Sequence, residues 1–249
     1  MEIYGLLFTL LLGLFILIGA GIVFLTKNND KFVQFSLSIA LGVMITLVGI
    51  DLLPEVIEIM ANAFDRWLAF ILIVILILVG IGGLKILDHF IPDHDDDGEL
   101  DNENLHHIGI VSSIALVLHN IIEGMAIYST FVSSFKLGLM VSIGVGLHNI
   151  PLGMVVASTF YKYNNDKRKT LLISLFISLS TFVGGIVMYL LSSLISELLL
   201  GILLSITLGM IIYIVIFELL PPVVESKYRK ISIVGILLGI SLMLISLLF

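Results

Sequence analysis

Thr170 to Phe217 reads TLLISLFISLSTFVGGIVMYLLSSLISELLLGILLSITLGMIIYIVIF, and across those 48 residues the only charge is Glu197. As one helix the segment would reach about 72 Å, more than twice the ~30 Å hydrocarbon core of a bilayer, so it must cross, turn back near Ser192–Glu197 and cross again. Uncharged runs of similar length recur along the whole chain, which is 59% hydrophobic and 12% charged over 249 residues. That is more apolar surface than one soluble core of this size can hide. The fold class is therefore an all-α integral membrane protein, and the whole of 1–249 reads as a single transmembrane domain.

Eight spans are expected, at approximately 4–26, 35–57, 67–87, 108–132, 137–161, 170–192, 198–220 and 231–249. The start, Met1-Glu2-Ile3-Tyr4, lacks the basic region of a cleaved signal peptide, and the first apolar run is long enough to span. With no cysteine in the chain, disulfides and thiolate metal sites are excluded.

Basic residues predict the orientation. Lys27, Lys31, Lys85, Lys162, Lys167, Arg168, Lys169, Lys227, Arg229 and Lys230 fall in the loops after spans 1, 3, 5 and 7, against only Arg66 and Lys136 on the other face. The richer side is cytoplasmic by the positive-inside rule, which puts both termini outside a multi-pass protein of the cell membrane. The net charge of −7 is local, because 88–107 holds eight acids and no Lys or Arg. It gives no reason to expect a nucleic-acid partner.

The chain also repeats itself. Leu41-Gly42-Val43-Met44 leading to Asp51-Leu52-Leu53-Pro54 in span 2 matches Leu208-Gly209-Met210-Ile211 leading to Glu218-Leu219-Leu220-Pro221 in span 7. Spans 4 and 5 share a second motif, His119-Asn120-Ile121-Ile122-Glu123-Gly124 and His148-Asn149-Ile150-Pro151-Leu152-Gly153, 29 residues apart. Each related pair is an odd number of spans apart and so crosses in opposite directions. That predicts an inverted repeat, spans 1–3 related to 6–8 and span 4 to span 5, with a substrate site near the midplane.

Helix spacing brings the second motif's side chains together. His119 and Glu123 are i and i+4, one turn apart on one face, where an imidazole nitrogen and a carboxylate oxygen can share an ion. Asn120 can add an amide oxygen, and His148 and Asn149 offer a matching imidazole and amide. Pro151 removes a backbone hydrogen bond and is expected to kink span 5 at this level. Two imidazoles and one carboxylate suit Zn²⁺ or a neighbouring first-row divalent ion, and suit Mg²⁺ or Ca²⁺ poorly. Ionisable groups at this depth mark function by default.

Asp51 and Glu218, each before its proline, are expected at the outer and cytoplasmic mouths as stations on a pathway. The segment 88–107 reads as a cytoplasmic His/Asp-rich loop in which His89, His94, His106 and His107 attract metal, tuning transport rather than carrying it. Within it Asp93-x-Asp95-x-Asp97-Gly98 echoes a calcium loop, but the closing position falls at Asn104, not glutamate.

Taken together, the two motifs in consecutive spans, the eight spans with external termini and the His-bearing loop resemble the ZIP family of metal transporters. The resemblance implies a divalent cation transporter, for zinc above all and also iron or manganese, moving the ion into the cytoplasm. It further implies a homodimer in lipid, one helix group sliding against another, the ion as substrate, and no organic cofactor or enzymatic activity. The chain departs from the family's pattern where Leu152 replaces an acid in span 5 and Ser180-Thr181-Phe182 replaces one in span 6, which favours one metal over two. The competing readings are an intramembrane zinc-dependent hydrolase and a metal sensor that does not transport.

Overall fold

The computed structural model describes residues 2–26, 29–90 and 102–248, and these are helical almost throughout, with no strand among them. Among the described residues eight helices are long and apolar enough to cross a membrane: α1 (Glu2–Leu25), α2 (Asp30–Ala63), α3 (Arg66–His89), α4 (Asn102–Ser133), α5 (Phe135–Asn164), α6 (Lys167–Leu191), α7 (Glu197–Val224) and α8 (Arg229–Ser246). Each expected span overlaps one of them, and the turn back between α6 and α7 falls at 192–196.

Five of the connections are short, and each ends on a capping residue. Asn29, Asp65, Ser134, Asp166 and Ser196 each accept a hydrogen bond from a backbone N–H in the first turn of the helix that follows. Asn165 leaves α5 in the left-handed conformation, φ 50°, which ends that helix two residues before α6 begins.

Two differences from the sequence reading bear on the site. The 88–107 segment is not all loop, since Asp88 and His89 close α3 and 102–107 open α4; an apolar helix carries its backbone hydrogen bonds past the apolar run into polar sequence. The rest of the calcium-like stretch, with His94, lies outside the described residues. The helix assignment also runs unbroken through Pro151.

The second difference is a pair of π-helical turns that periodicity did not announce, Leu47–Leu52 in α2 and Ile214–Leu219 in α7. Each ends one residue before a Leu-Pro pair. Proline has no N–H and its ring clashes with the carbonyl four residues back, so widening the preceding turn relieves both faults. Leu53 N–H accordingly donates to Val48 O and Leu220 N–H to Val215 O, five residues back in each case. Asp51 and Glu218 occupy the widened turns.

Most of the close backbone packing falls within two groups of helices. A Cβ on Gly19 would overlap the Ile150 carbonyl and one on Gly153 the Ile16 carbonyl, joining α1 to α5; Gly124 with Thr181 and Gly184 with Ile121 do the same for α4 and α6. Gly42 with Ile236 and Gly239 with Ile39 join α2 to α8, and Gly80 with Ile206 and Gly209 with Ile77 join α3 to α7. These eight contacts fall within α1, α4, α5 and α6 or within α2, α3, α7 and α8, while a Cβ on Gly144 of α5 would overlap the Ser246 carbonyl of α8 and so joins the two groups. Small residues that admit a neighbouring backbone are how membrane helices associate without a hydrophobic driving force.

Gly184→Ala is therefore expected to destabilise the detergent-solubilised protein by at least the ~1–3 kcal/mol of ordinary overpacking. Gly82→Ala, where nothing lies within 4 Å, is expected to leave stability unchanged or raise it. Thermal unfolding of the two variants beside the parent checks both, and equal melting temperatures would show that the helices can separate at no cost.

Candidate metal centre

Three buried side chains converge between α4 and α5. His148 Nε2 lies 3.0 Å from Glu123 Oε1, and His119 Nε2 lies 3.6 Å from the same oxygen. His119, Glu123 and His148 are 2%, 9% and 2% exposed, and one ligand atom from each falls within 4.8 Å of the others. The i, i+4 relation in α4 produces the first contact. The parallel position of His148 in α5 produces the second, because the two motifs face each other across one helix pair.

The asparagines sit as expected beside this group and are almost devoid of partners. Asn120 Nδ2 donates to the Ile177 carbonyl of α6 at 3.3 Å, while its Oδ1 accepts nothing among the described residues. Neither amide atom of Asn149 has a hydrogen bond there, and His119 Nδ1, Glu123 Oε2 and Thr181 Oγ1 are likewise unsatisfied. Each buried polar atom left so costs about 1–3 kcal/mol, and they are clustered rather than scattered. Such a cluster suits an ion better than an empty core. Two imidazoles, one carboxylate and nearby amide oxygens form a set for Zn²⁺ or a similar ion with room for water.

Leu152, four residues after His148, is fully buried and belongs to the main apolar cluster. It marks the position that in α4 carries Glu123.

The remaining expected residues lie outside this contact, with Asp51 in electrostatic reach of His119, Glu123 and His148. Asp51 is half-buried in the π turn of α2, with Glu55 and Glu58 exposed beyond it, and Glu218 is buried in the π turn of α7. The loop histidines do not form one group. His89 is exposed with its ring centroid 6.1 Å from that of Phe90, and His106 stacks on Tyr163 at 4.0 Å, turned away from His107. His107 faces Asp88 and Glu218 instead. Sequence reasoning also missed Tyr213, whose hydroxyl donates to Asp88. No local spacing connects α3, the start of α4 and α7, so no signal in the linear chain pointed to that meeting.

The sequence is similar to that of known proteins over nearly its whole length. Residues 88–247 match the family model described as ZIP Zinc transporter. The chain is 30% identical over 250 residues to the zinc transporter ZupT of Streptococcus mutans, covering 96% of this chain and 95% of that protein. It is 30% identical over 257 residues to ZupT of Chlorobium phaeovibrioides, covering 98% and 97%. Against ZupT of Clostridium perfringens the figures are 29% over 272 residues, covering 97% and 94%.

Proposed function

Because the chain belongs to the ZIP zinc transporter family, we propose that it moves a divalent cation, zinc first and iron or manganese after it, into the cytoplasm through the His119–Glu123–His148 centre. The observation that carries this reading is Glu123 held buried between two imidazoles, among polar atoms with no other partner. A dehydrated cation needs such ligands at mid-membrane, and three protein ligands leave positions through which ligands can exchange. Asn120 and Asn149 supply amide oxygens as water is shed or regained. Asp51 and Glu218 stand toward the outer and inner ends as stations of attraction. The functional unit is a homodimer by the family resemblance.

Movement is read as one helix group sliding past the other. Eight glycine contacts support this, since each knits helices within a group, against one, Gly144 with the Ser246 carbonyl, that crosses between them. They also support the inverted repeat. Ile39 and Gly42 of α2 meet α8 as Ile206 and Gly209 of α7 meet α3, and Ile16 and Gly19 of α1 meet α5 as Thr181 and Gly184 of α6 meet α4. The π turns of α2 and α7 recur at the same register in that correspondence. Repeats of this kind suit alternating access around a fixed midplane site.

Zinc flux into liposomes holding the purified protein tests the proposal, with hydrolysis of lipid and peptide assayed on the same preparation. Zinc-dependent hydrolysis without flux would favour the intramembrane hydrolase, and zinc binding with neither would favour the sensor. Orientation is tested separately, and the absence of native cysteine makes the test clean. Single cysteines at Asn165 and Ser226 are expected to react with a membrane-impermeant maleimide only from the cytoplasmic side, and one at Ser193 only from outside. The opposite pattern would invert the topology and the direction of transport with it.

A further inference from the structure

The buried hydroxyls of this chain are of two kinds. Nearly all donate to a carbonyl three or four residues back in their own helix, and that of Ser232 accepts from Gln34. Bonding back in this way is the ordinary fate of serine and threonine inside a helix. Ser112, Ser142 and Thr181 differ, being buried with no hydrogen-bond partner among the described residues. Ser113, the neighbour of Ser112, donates to the Gly109 carbonyl at 2.6 Å. An unpaired buried hydroxyl is destabilising, so each of the three calls for a reason.

Ser142 and Thr181 are placed against helices of their own group. Ser142 shares its side of α5 with Gly146 and Gly153, which pack on Phe15 and Ile16 of α1, and the Thr181 carbonyl meets Gly124 of α4. Ser112 lies elsewhere, on the side of α4 that carries His119, seven residues or two turns before it. Leu105, Ile108 and Leu116 share that side, and they belong to the apolar cluster that also holds Leu37 and Leu41 of α2 and Leu208 of α7. Ser112 therefore sits at the seam between the two helix groups. It is roughly 10 Å from His119 along the axis and, in the orientation expected from the basic residues, on the cytoplasmic side of it.

Along this stretch the ion has few oxygens to use. From Ile108 to Leu118 α4 has no charged side chain, and its two polar ones are Ser112 and Ser113. A dication leaving the midplane centre along the seam must exchange imidazole and carboxylate for water or another oxygen, because bare transfer into an apolar contact is prohibitive. A hydroxyl offers two lone pairs on a rotor and no charge that would trap the ion. Conduction needs sites of this kind, favourable enough to enter and weak enough to leave. We propose that the Ser112 hydroxyl is a transient oxygen ligand for the partly hydrated divalent cation as it passes from the midplane centre toward the cytoplasm. The inference rests on the transport reading. It accounts for the missing bond to the Ile108 carbonyl, since a hydroxyl not tied to its own helix can turn its oxygen toward a passing ion.

Removing the hydroxyl separates this role from a packing defect, because the two predict opposite changes. In Ser112→Ala the unpaired group is gone, so the melting temperature in detergent is expected to stay level or rise, with zinc binding at the midplane unchanged by calorimetry. Zinc flux into liposomes at saturating Zn²⁺ is nevertheless expected to fall several-fold. Ser112→Thr, which keeps a hydroxyl, is expected to retain most of the flux, and Ser113→Ala to match the parent. Flux in Ser112→Ala equal to the parent's would overturn the inference. A loss shared by Ser113→Ala, or accompanied by lost zinc binding or a lower melting temperature, would mark a structural fault and overturn it as well. A parent without zinc flux would overturn the transport reading and the ligand role with it, whereas a parent that transports beside an equally active Ser112→Ala would overturn the role of Ser112 alone.

Discussion

Glu123→Ala is expected to abolish zinc uptake while the protein remains folded and in the membrane. Glu123 carries a carboxylate that both imidazoles contact, with Nε2 atoms 3.0 and 3.6 Å from one of its oxygens. Removing it leaves two neutral imidazoles and two amides to strip water from a dication in an apolar bundle. Loss of outer-shell partners alone costs roughly 10–100-fold at metal sites, so loss of a direct anionic ligand should exceed about 100-fold in flux. Glu123→Gln keeps the volume and should fail nearly as badly, which separates charge from packing. Liposome flux read beside thermal unfolding checks the pair, and flux within twofold of the parent in either variant would sink the assignment.

Leu152→Glu is expected to convert a single-metal centre into one that holds two. The position lies four residues after His148, the offset that sets Glu123 beside His119, and it is occupied by a fully buried leucine. With leucine there, Glu123 is the carboxylate in contact with the imidazoles, and Asp51 and Glu55 add negative charge only from electrostatic range. The added acid supplies a ligand and offsets the repulsion between two ions. Without metal the same acid is an unpaired charge in the core, so the variant should unfold at a lower temperature and recover strongly with zinc. Saturation at 100 times the dissociation constant corresponds to about 2.7 kcal/mol. Anomalous diffraction or calorimetry counts the ions, and two midplane metals in the unmodified protein would refute the single-site reading.

What the linear chain disclosed follows from the range of the forces involved. Spans were legible because a bilayer imposes one length and one polarity on every helix. The midplane histidines were legible because i, i+4 spacing is a local rule, applied in two motifs that repeat. His106 and His107 show where local reasoning ends. Adjacent residues on a helix point about 100° apart, so one stacks on Tyr163 and the other faces Glu218, although both sit in what reads as a single histidine-rich segment. Grouping by proximity in sequence put together residues that the fold separates, and kept apart Asp88, His107 and Glu218, which tertiary packing unites. The π turns escaped for a related reason. A proline after an acid signals that a turn is disturbed, but whether the helix bends, breaks or takes in an extra residue depends on its neighbours.

The extra residue in each π turn resets the phase of the helix that carries it. Beyond residue 52 every side chain of α2 is rotated by roughly 100° from where an unbroken α-helical wheel would put it, and the same holds beyond residue 219 in α7. An alignment of relatives that slides by one position inside 47–52 or 214–219 would thus exchange a lipid-facing residue for a pathway-facing one over the whole remaining end of the helix. Gaps in such an alignment belong inside these two turns, and a change of face there is how a small insertion could redirect which acids the passing ion meets.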